Sequence, residues 1–284
     1  VDGPCPQLTL DEVLYEMDVR AEPDGDHPVT VCEAIVPPAA ERILVGETTL
    51  QMPVADPQRI LVIGDTGCRL KEGDPIQDCN DPAAWPFAEV AAQGASWQPD
   101  LIIHVGDFHY REMACPEGNA GCAGSPWGDN WAAWQADFFA PAAPLLAEAP
   151  WIFLRGNHED CERAGEGWFR YLDPRPMPAT CEDFTEPYAV DIGDIRAVVL
   201  DAATAGDTSS DATTTDAFRE QFATVEELAG DGPAWLLTHR PFWSMAGDEG
   251  GYMVWTTATY TDAGWVEPPA VFDMVIAGHI HMGQ

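Results

Sequence analysis

"RILVIGDTG", residues 59–67, runs four aliphatic side chains into Gly-Asp-Thr-Gly. An apolar run of that length, cut off by turn residues, reads as a buried strand. The side chain presented at its end is a carboxylate, Asp65. Taken alone, Asp and Gly after a strand are ordinary turn chemistry. The pattern recurs, however, and the recurrence decides the fold. "LIIHVGDFHY" (101–110), "WIFLRGNHE" (151–159), "AWLLTH" (234–239) and "FDMVIAGHIH" (272–281) each carry an apolar strand into metal-capable residues. Five of the seven histidines fall at the ends of these strands, in GDFHY, GNHE, LLTH and GHIH, which scattered surface histidines would not do.

Helical patterns separate the strands. "PFAEVAAQGASW" (86–97) reads as one helix, and "NWAAWQADFFAPAAPLLAEA" (130–149) as a helix broken near Pro141. "TTTDAFREQFATVEELAG" (213–230) takes Asp216 as N-cap and Gly230 just past its end. "YAVDIGDIRAVVLDA" (188–202) reads as two strands joined by a tight Gly-Asp turn. Strands alternating with helices argue an α/β layered domain, and in such domains sites gather beyond the carboxyl ends of the strands. Residues 1–56 are Pro- and Asp-rich, with short strand-like pieces and no readable motif, and form an N-terminal extension. Residues 57–284 are the candidate catalytic domain. The polar loop "AGDTSSDATTTD" (205–216) stands apart as a compositionally biased stretch.

Composition narrows the function. Across 284 residues, 48 Asp and Glu face 13 Lys and Arg, a formal charge of −35, and Lys71 is the sole lysine. Such a surface repels nucleic acid, whose binding needs a positive footprint. It repels small phosphorylated substrates too, unless bound cations supply positive charge at the site. Solubility in a salty medium is the plain alternative reason for the surface. No apolar run approaches the ~20 residues of a membrane span. The opening "VDGPCPQ" lacks a basic and apolar leader, so an export signal is expected to have been removed already. Eight cysteines stand at 5, 32, 68, 79, 115, 122, 161 and 181, with no Cys-x-x-Cys among them. They read as disulfides in an oxidising compartment. Near neighbours in sequence give the pairing 5–32, 68–79, 115–122 and 161–181, one choice among 105 for eight cysteines.

Asp65, Asp107, Tyr110, Asn157, His239, His279 and His281 form a mixed O/N donor set. It is too large for one tetrahedral zinc and suits two metals sharing a carboxylate. In order and spacing, the five blocks resemble the signature of the calcineurin-like metallophosphoesterases. More narrowly they resemble the purple acid phosphatase branch, with its pattern GDxG, GDxxY, GNH(D/E), VxxH, GHxH. Leu236 in place of Val is a mild departure, and the match covers about residues 58–284.

The resemblance implies a four-layer sandwich, two mixed β-sheets flanked by helices. It implies a first metal held by Asp65, Asp107, Tyr110 and His281, and a second held by Asp107, Asn157, His239 and His279. The wider superfamily has a histidine where this chain has Gly67, and Tyr110 makes good that loss. A phenolate suits Fe(III), so the expected pair is Fe(III) with a divalent Zn, Mn or Fe ion. His158 matches the family's outer-sphere histidine, which holds phosphate and protonates the leaving oxygen. His109, Arg155 and Arg240 are further candidates for substrate contact. His104 reads as a satisfied core histidine and His27 as a surface one, while Glu159 and Asp160 read as structural.

The implied activity is hydrolysis of phosphomonoesters by a metal-bound hydroxide, in an exported, periplasmic or extracellular enzyme acting on small phosphorylated substrates. A phosphodiesterase or nucleotidase with the same centre is the alternative, and predicts an aromatic clamp beside the metals. A non-catalytic cation-binding surface protein is the remote one. The family chain runs on beyond GHxH, so the C-terminus is expected to be incomplete.

Overall fold

The computed structural model describes residues 3–248 and 251–280. Six short strands come first: Leu8–Leu10 (β1), Val13–Tyr15 (β2), Asp18–Ala21 (β3), Val31–Glu33 (β4), Ile43–Val45 (β5) and Thr48–Leu50 (β6). Four of them form an antiparallel sheet in the order β2-β1-β5-β6, and β3 pairs with β4. Leu8, Leu10 and Ile43 make a small core beneath the larger sheet.

This segment is docked rather than trailing. Arg20 donates from Nε and Nη2 to the Phe169 carbonyl at 2.9 and 2.6 Å, and Arg170 Nη1 donates to the Glu22 carbonyl at 3.0 Å. His27 is therefore not a surface residue as expected. It is 1% exposed, with Nδ1 2.8 Å from the Tyr171 hydroxyl. The local sequence "PDGDHPV" is polar, but the docking of residues 20–27 onto the following domain removes His27 from water.

Three parallel strands follow in the order β7-β8-β9: Ile60–Ile63 (β7), Leu101–His104 (β8) and Trp151–Phe153 (β9). Helical crossovers join them, Phe87–Ser96 (α1) between β7 and β8, then Trp131–Trp134 (α2) and Ala140–Leu146 (α3) between β8 and β9. A crossover returns the chain in its original direction, so this sheet is parallel among the described residues rather than mixed. The break expected near Pro141 is a π-helical turn, Gln135–Phe139, that links α2 to α3. Pro141 and Pro144 cannot donate to carbonyls one turn back, and their rings crowd those carbonyls. The register slips just before them.

Gly165–Tyr171 (α4) precedes the second sheet. That sheet is mixed: Tyr188–Ile192 (β10) runs antiparallel to Ile195–Leu200 (β11), while β11, Ala234–Thr238 (β12) and Met274–Ile276 (β15) run parallel. Between β12 and β15 lie the hairpin Trp243–Asp248 (β13) and Gly251–Thr256 (β14) and the helix Ala258–Ala263 (α6). The helix between β11 and β12, Ala212–Ala229 (α5), starts ahead of the sequence reading. Its N-cap is Asp211, whose carboxylate accepts from the Thr214 amide at 3.0 Å, so Asp216 falls inside the helix.

The four layers follow from strand alternation. Ile102 of β8 faces α1, α3 and α4 with Phe87, Leu145 and Trp168, while its neighbour Ile103 turns the other way. Ile103, Ile152 and Leu154 meet Ala197, Val199 and Leu237 in a core between the two sheets. Val198, Leu200 and Leu236 face outward onto Phe218 and Phe222 of α5 and Tyr260 of α6. The fold is thus helix, sheet, sheet, helix. Four disulfides form, Cys5–Cys32, Cys68–Cys79, Cys115–Cys122 and Cys161–Cys181, the near-neighbour pairing read from the sequence.

Candidate metal centre

The strands deliver their clusters to one edge of the sandwich. The Asp65 amide donates to the Gly106 carbonyl at 2.9 Å, and the Gly278 amide to the His239 carbonyl at 2.9 Å, so neighbouring strand ends stay tied after each ladder stops. The two sheets are joined there as well, because the His279 amide donates to the Asp65 carboxylate at 3.0 and 3.2 Å. Asp65, Asp107 and His279 all adopt φ values of 55° to 72°, the left-handed region that costs a non-glycine residue about 1–3 kcal/mol. Three such residues at adjacent strand ends turn their side chains sharply into the gap between the sheets.

Asp107 stands at the centre and is 1% exposed. Its Oδ2 accepts from the Tyr110 hydroxyl at 2.7 Å and lies 3.2 Å from His239 Nε2, while Oδ1 accepts from the His158 amide at 3.0 Å. His239 donates from Nδ1 to the Val105 carbonyl at 2.7 Å, which aims Nε2 at Asp107 and at the Asn157 amide oxygen, 3.1 Å away. The tautomer with Nδ1 protonated is the one that frees Nε2 for a metal. Donor atoms of Asp107, His239 and His279 lie within 4.8 Å of one another. Tyr110 Oη lies 3.5 Å from Asp65 Oδ1 as well, so the phenol spans two carboxylates.

The electrostatics describe a site built for cations. Burial would raise Asp107, but the adjacent His239 holds it well below the usual carboxylate range. Burial would lower His239 in turn, yet Asp107 lifts it to about 9, so in the metal-free chain a proton stands where a cation would. Burial, then Asp107 and Asp65, pushes the Tyr110 phenol well up. A multivalent ion reverses that logic and ionises its ligands. Carboxylates, a phenol, an amide oxygen and imidazoles converging on one point fit hard or borderline metal ions.

Three acidic residues support the centre from behind. Glu159, fully buried, accepts four backbone amides: Asp107 and Gly156 on Oε2, both at 3.0 Å, and Phe108 and His109 on Oε1 at 2.8 and 3.1 Å. It holds the Gly-Asp turn that carries Asp107, and burial lifts its own carboxyl to about 8. Asp137, in the π-helical turn, accepts the amides of Cys68, Tyr110 and Arg111 at 3.0, 2.8 and 3.2 Å. Glu112 pairs with His158 Nδ1, and the His158 ring packs on Tyr110 with centroids 4.0 Å apart. Glu159 closes the Gly-Asn-His-Glu block and is structural as expected, whereas no local pattern marks Asp137 or Glu112, because their partners are backbone groups and rings brought near by the fold.

The other candidates divide. Arg240 sits beside His279, with Nη1 3.0 Å from its Nε2, and forms an ion pair with Asp207. Arg155 is not brought to the cluster. It is 2% exposed, donates to the carbonyls of Glu159 and Glu182, and pairs with Asp201 at 3.2 Å. His109 is also held apart, 1% exposed, with Nε2 3.1 Å from the Gly128 carbonyl and its ring against Trp134. His104 is the satisfied core histidine expected: it donates to Thr66 Oγ1 at 2.9 Å, accepts from the Gly106 amide at 3.2 Å and stacks on Phe108. His281 lies outside the described residues.

The chain belongs to the calcineurin-like phosphoesterase family, whose model matches residues 58–283. No curated protein matches it in sequence. Among solved structures it is similar to PhoD, at 14% identity and a TM-score of 0.46, over 79% of this chain and 51% of PhoD. It thus spans about half of PhoD. It is also similar to Chaetomium thermophilum Vps29, at 14% identity and a TM-score of 0.27, over 70% of each chain. The family assignment rests on the match over residues 58–283.

Proposed function

We propose that this protein hydrolyses phosphomonoesters at a dinuclear centre bridged by Asp107. Asp65, Tyr110 and His281 complete the first metal site, and Asn157, His239 and His279 the second. The observation that carries the reading is the position of Asp107 Oδ2, 2.7 Å from the Tyr110 hydroxyl and 3.2 Å from His239 Nε2, between the two halves of the donor set. When bound, such a pair supplies Lewis acidity and water acidified enough to attack phosphorus.

The chain's own residues do the rest. His158, its Nδ1 on Glu112, is oriented to hold a phosphate oxygen and to hand a proton to the leaving oxygen. Arg240 flanks the second site and offers charge to the phosphate. Tyr110 favours Fe(III) in the first site. The four disulfides accord with an exported protein.

Metal analysis with a visible spectrum tests the assignment. A charge-transfer band should be present in the purified protein and absent in Tyr110→Phe. A colourless, fully active zinc or manganese enzyme would return the reading to the wider family.

A nucleotide or phosphodiester substrate is the second reading, favoured by one cavity. A space of about 260 Å³ is lined by Asp65 and Tyr110 of the centre together with Trp85, Phe87 and Arg69. Comparing kcat/KM for para-nitrophenyl phosphate, its bis ester and nucleoside monophosphates decides between the two. A preference for the bis ester or the nucleotides would displace the first reading.

A further inference from the structure

The loop "AGDTSSDATTTD" has no part in the family signature, yet it reaches the centre. Asp207 Oδ2 lies 3.0 Å from His279 Nε2, and Asp207 Oδ1 pairs with Arg240. Its backbone is fixed from the far side. The Ala258 amide donates to the Asp207 carbonyl at 3.1 Å, the Thr259 amide to the Gly206 carbonyl at 3.2 Å, and the Gly206 amide to Thr259 Oγ1 at 2.8 Å. A Cβ on Gly206 would fall 1.9 Å from the Ser209 carbonyl oxygen, so the turn that aims Asp207 admits no side chain there. The loop after β11 is thereby bolted to the start of α6, with one carboxylate projecting at His279.

We propose that Asp207 is a positioning residue for the second metal site, holding His279 in the tautomer that leaves Nδ1 free to bind the ion. This rests on the dinuclear reading above. A carboxylate opposite Nε2 selects the ring form with a proton on that nitrogen, since a lone pair there would face the carboxylate's negative charge. Arg240 Nη1, at 3.0 Å from the same nitrogen, cannot donate to a protonated Nε2 and directs its hydrogen to Asp207 instead. Partners of this kind fix the orientation and basicity of a ligating imidazole, and their loss lowers metal affinity 10–100-fold. Asp207 is not itself in the group of donors gathered around Asp107, so its effect passes through His279.

Calorimetric titration of the metal-stripped full chain with Zn²⁺ tests this, with no need for activity. In Asp207→Ala and Asp207→Asn, one of two binding steps should weaken 10–100-fold. Asp211→Asn, which retains the cap of α5 in the same loop, should bind as the wild type does, and Arg240→Gln should lose less than Asp207→Asn. Unchanged affinity in Asp207→Asn overturns the proposal. An equal loss in Arg240→Gln overturns it too, because the ion pair and not the contact to His279 would then hold the site. If Asp207→Ala melts much earlier as the apoprotein, the near-isosteric Asp207→Asn decides alone. A wild-type chain that takes up no Zn²⁺ defeats the dinuclear reading itself, which is a different outcome from intact wild-type binding with an unaffected variant.

Discussion

A Cβ placed on Gly67 would stand 2.6 Å from Tyr110 Cδ2, 2.7 Å from the Tyr110 amide nitrogen and 2.9 Å from the Phe108 carbonyl oxygen. The tyrosine ring fills the space that a side chain at position 67 would need, so the glycine and Tyr110 fit as a pair. Gly67→Ala should push Tyr110 off the Asp107 carboxylate. A displacement near 1 Å costs on the order of 100-fold in turnover, which kcat/KM at saturating metal would read while circular dichroism stays unchanged. Glu159→Gln should act on the fold instead. Its amide would face two buried N–H donors, each worth about 1–3 kcal/mol when left unpaired, and a urea midpoint measures the loss. The described metal-capable residues were legible because strand ends and residue types mark them. Glu112 and Asp207 were not, since an acidic side chain that serves a distant ring leaves no periodic trace.

At the scale of elements, the strands of both sheets were readable as apolar runs closed by turn residues. Helix limits were less so, and α5 shows why. Asp211 and Asp216 both precede apolar residues at helical spacing, and only the backbone of Asp211 is extended, with φ −89° and ψ 168°. Bonds from the Thr214 amide and hydroxyl hold the Asp211 carboxyl below its ordinary 3.8. A carboxyl whose folded pKa lies under its unfolded value stabilises fully above 3.8, and that contribution is lost as pH falls through the folded value. The protection factors of the Thr214 and Thr215 amides, corrected for intrinsic exchange, should therefore fall in acid. Asp211→Asn, which caps without titrating, should flatten that dependence. A wild-type profile as flat as the variant's would contradict the capping role.

At the scale of the whole molecule, the charge of −35 surrounds the site proposed to take a phosphate ester. Like charge slows approach, and salt screens it over a Debye length of about 10 Å at 0.1 M. KM for a phosphomonoester should fall as NaCl rises, and a KM constant across the series would remove long-range steering from the account. The layered architecture followed from alternating strands and helices, whereas the seating of residues 20–27 on the layered domain did not. Docking of that kind is made of arginine-to-carbonyl bonds such as Arg20 to Phe169, between residues 149 apart in the chain, and composition carries no sign of it.

The four disulfides join cysteines only 7 to 27 positions apart, and no two bridges interleave along the chain. Small rings cost least to close, so native pairing coincides with first-come pairing. A polypeptide entering an oxidising lumen amino end first would complete each bridge before the next thiol pair arrived. Its oxidative maturation then needs an oxidant, with little call for an isomerase to undo wrong partners.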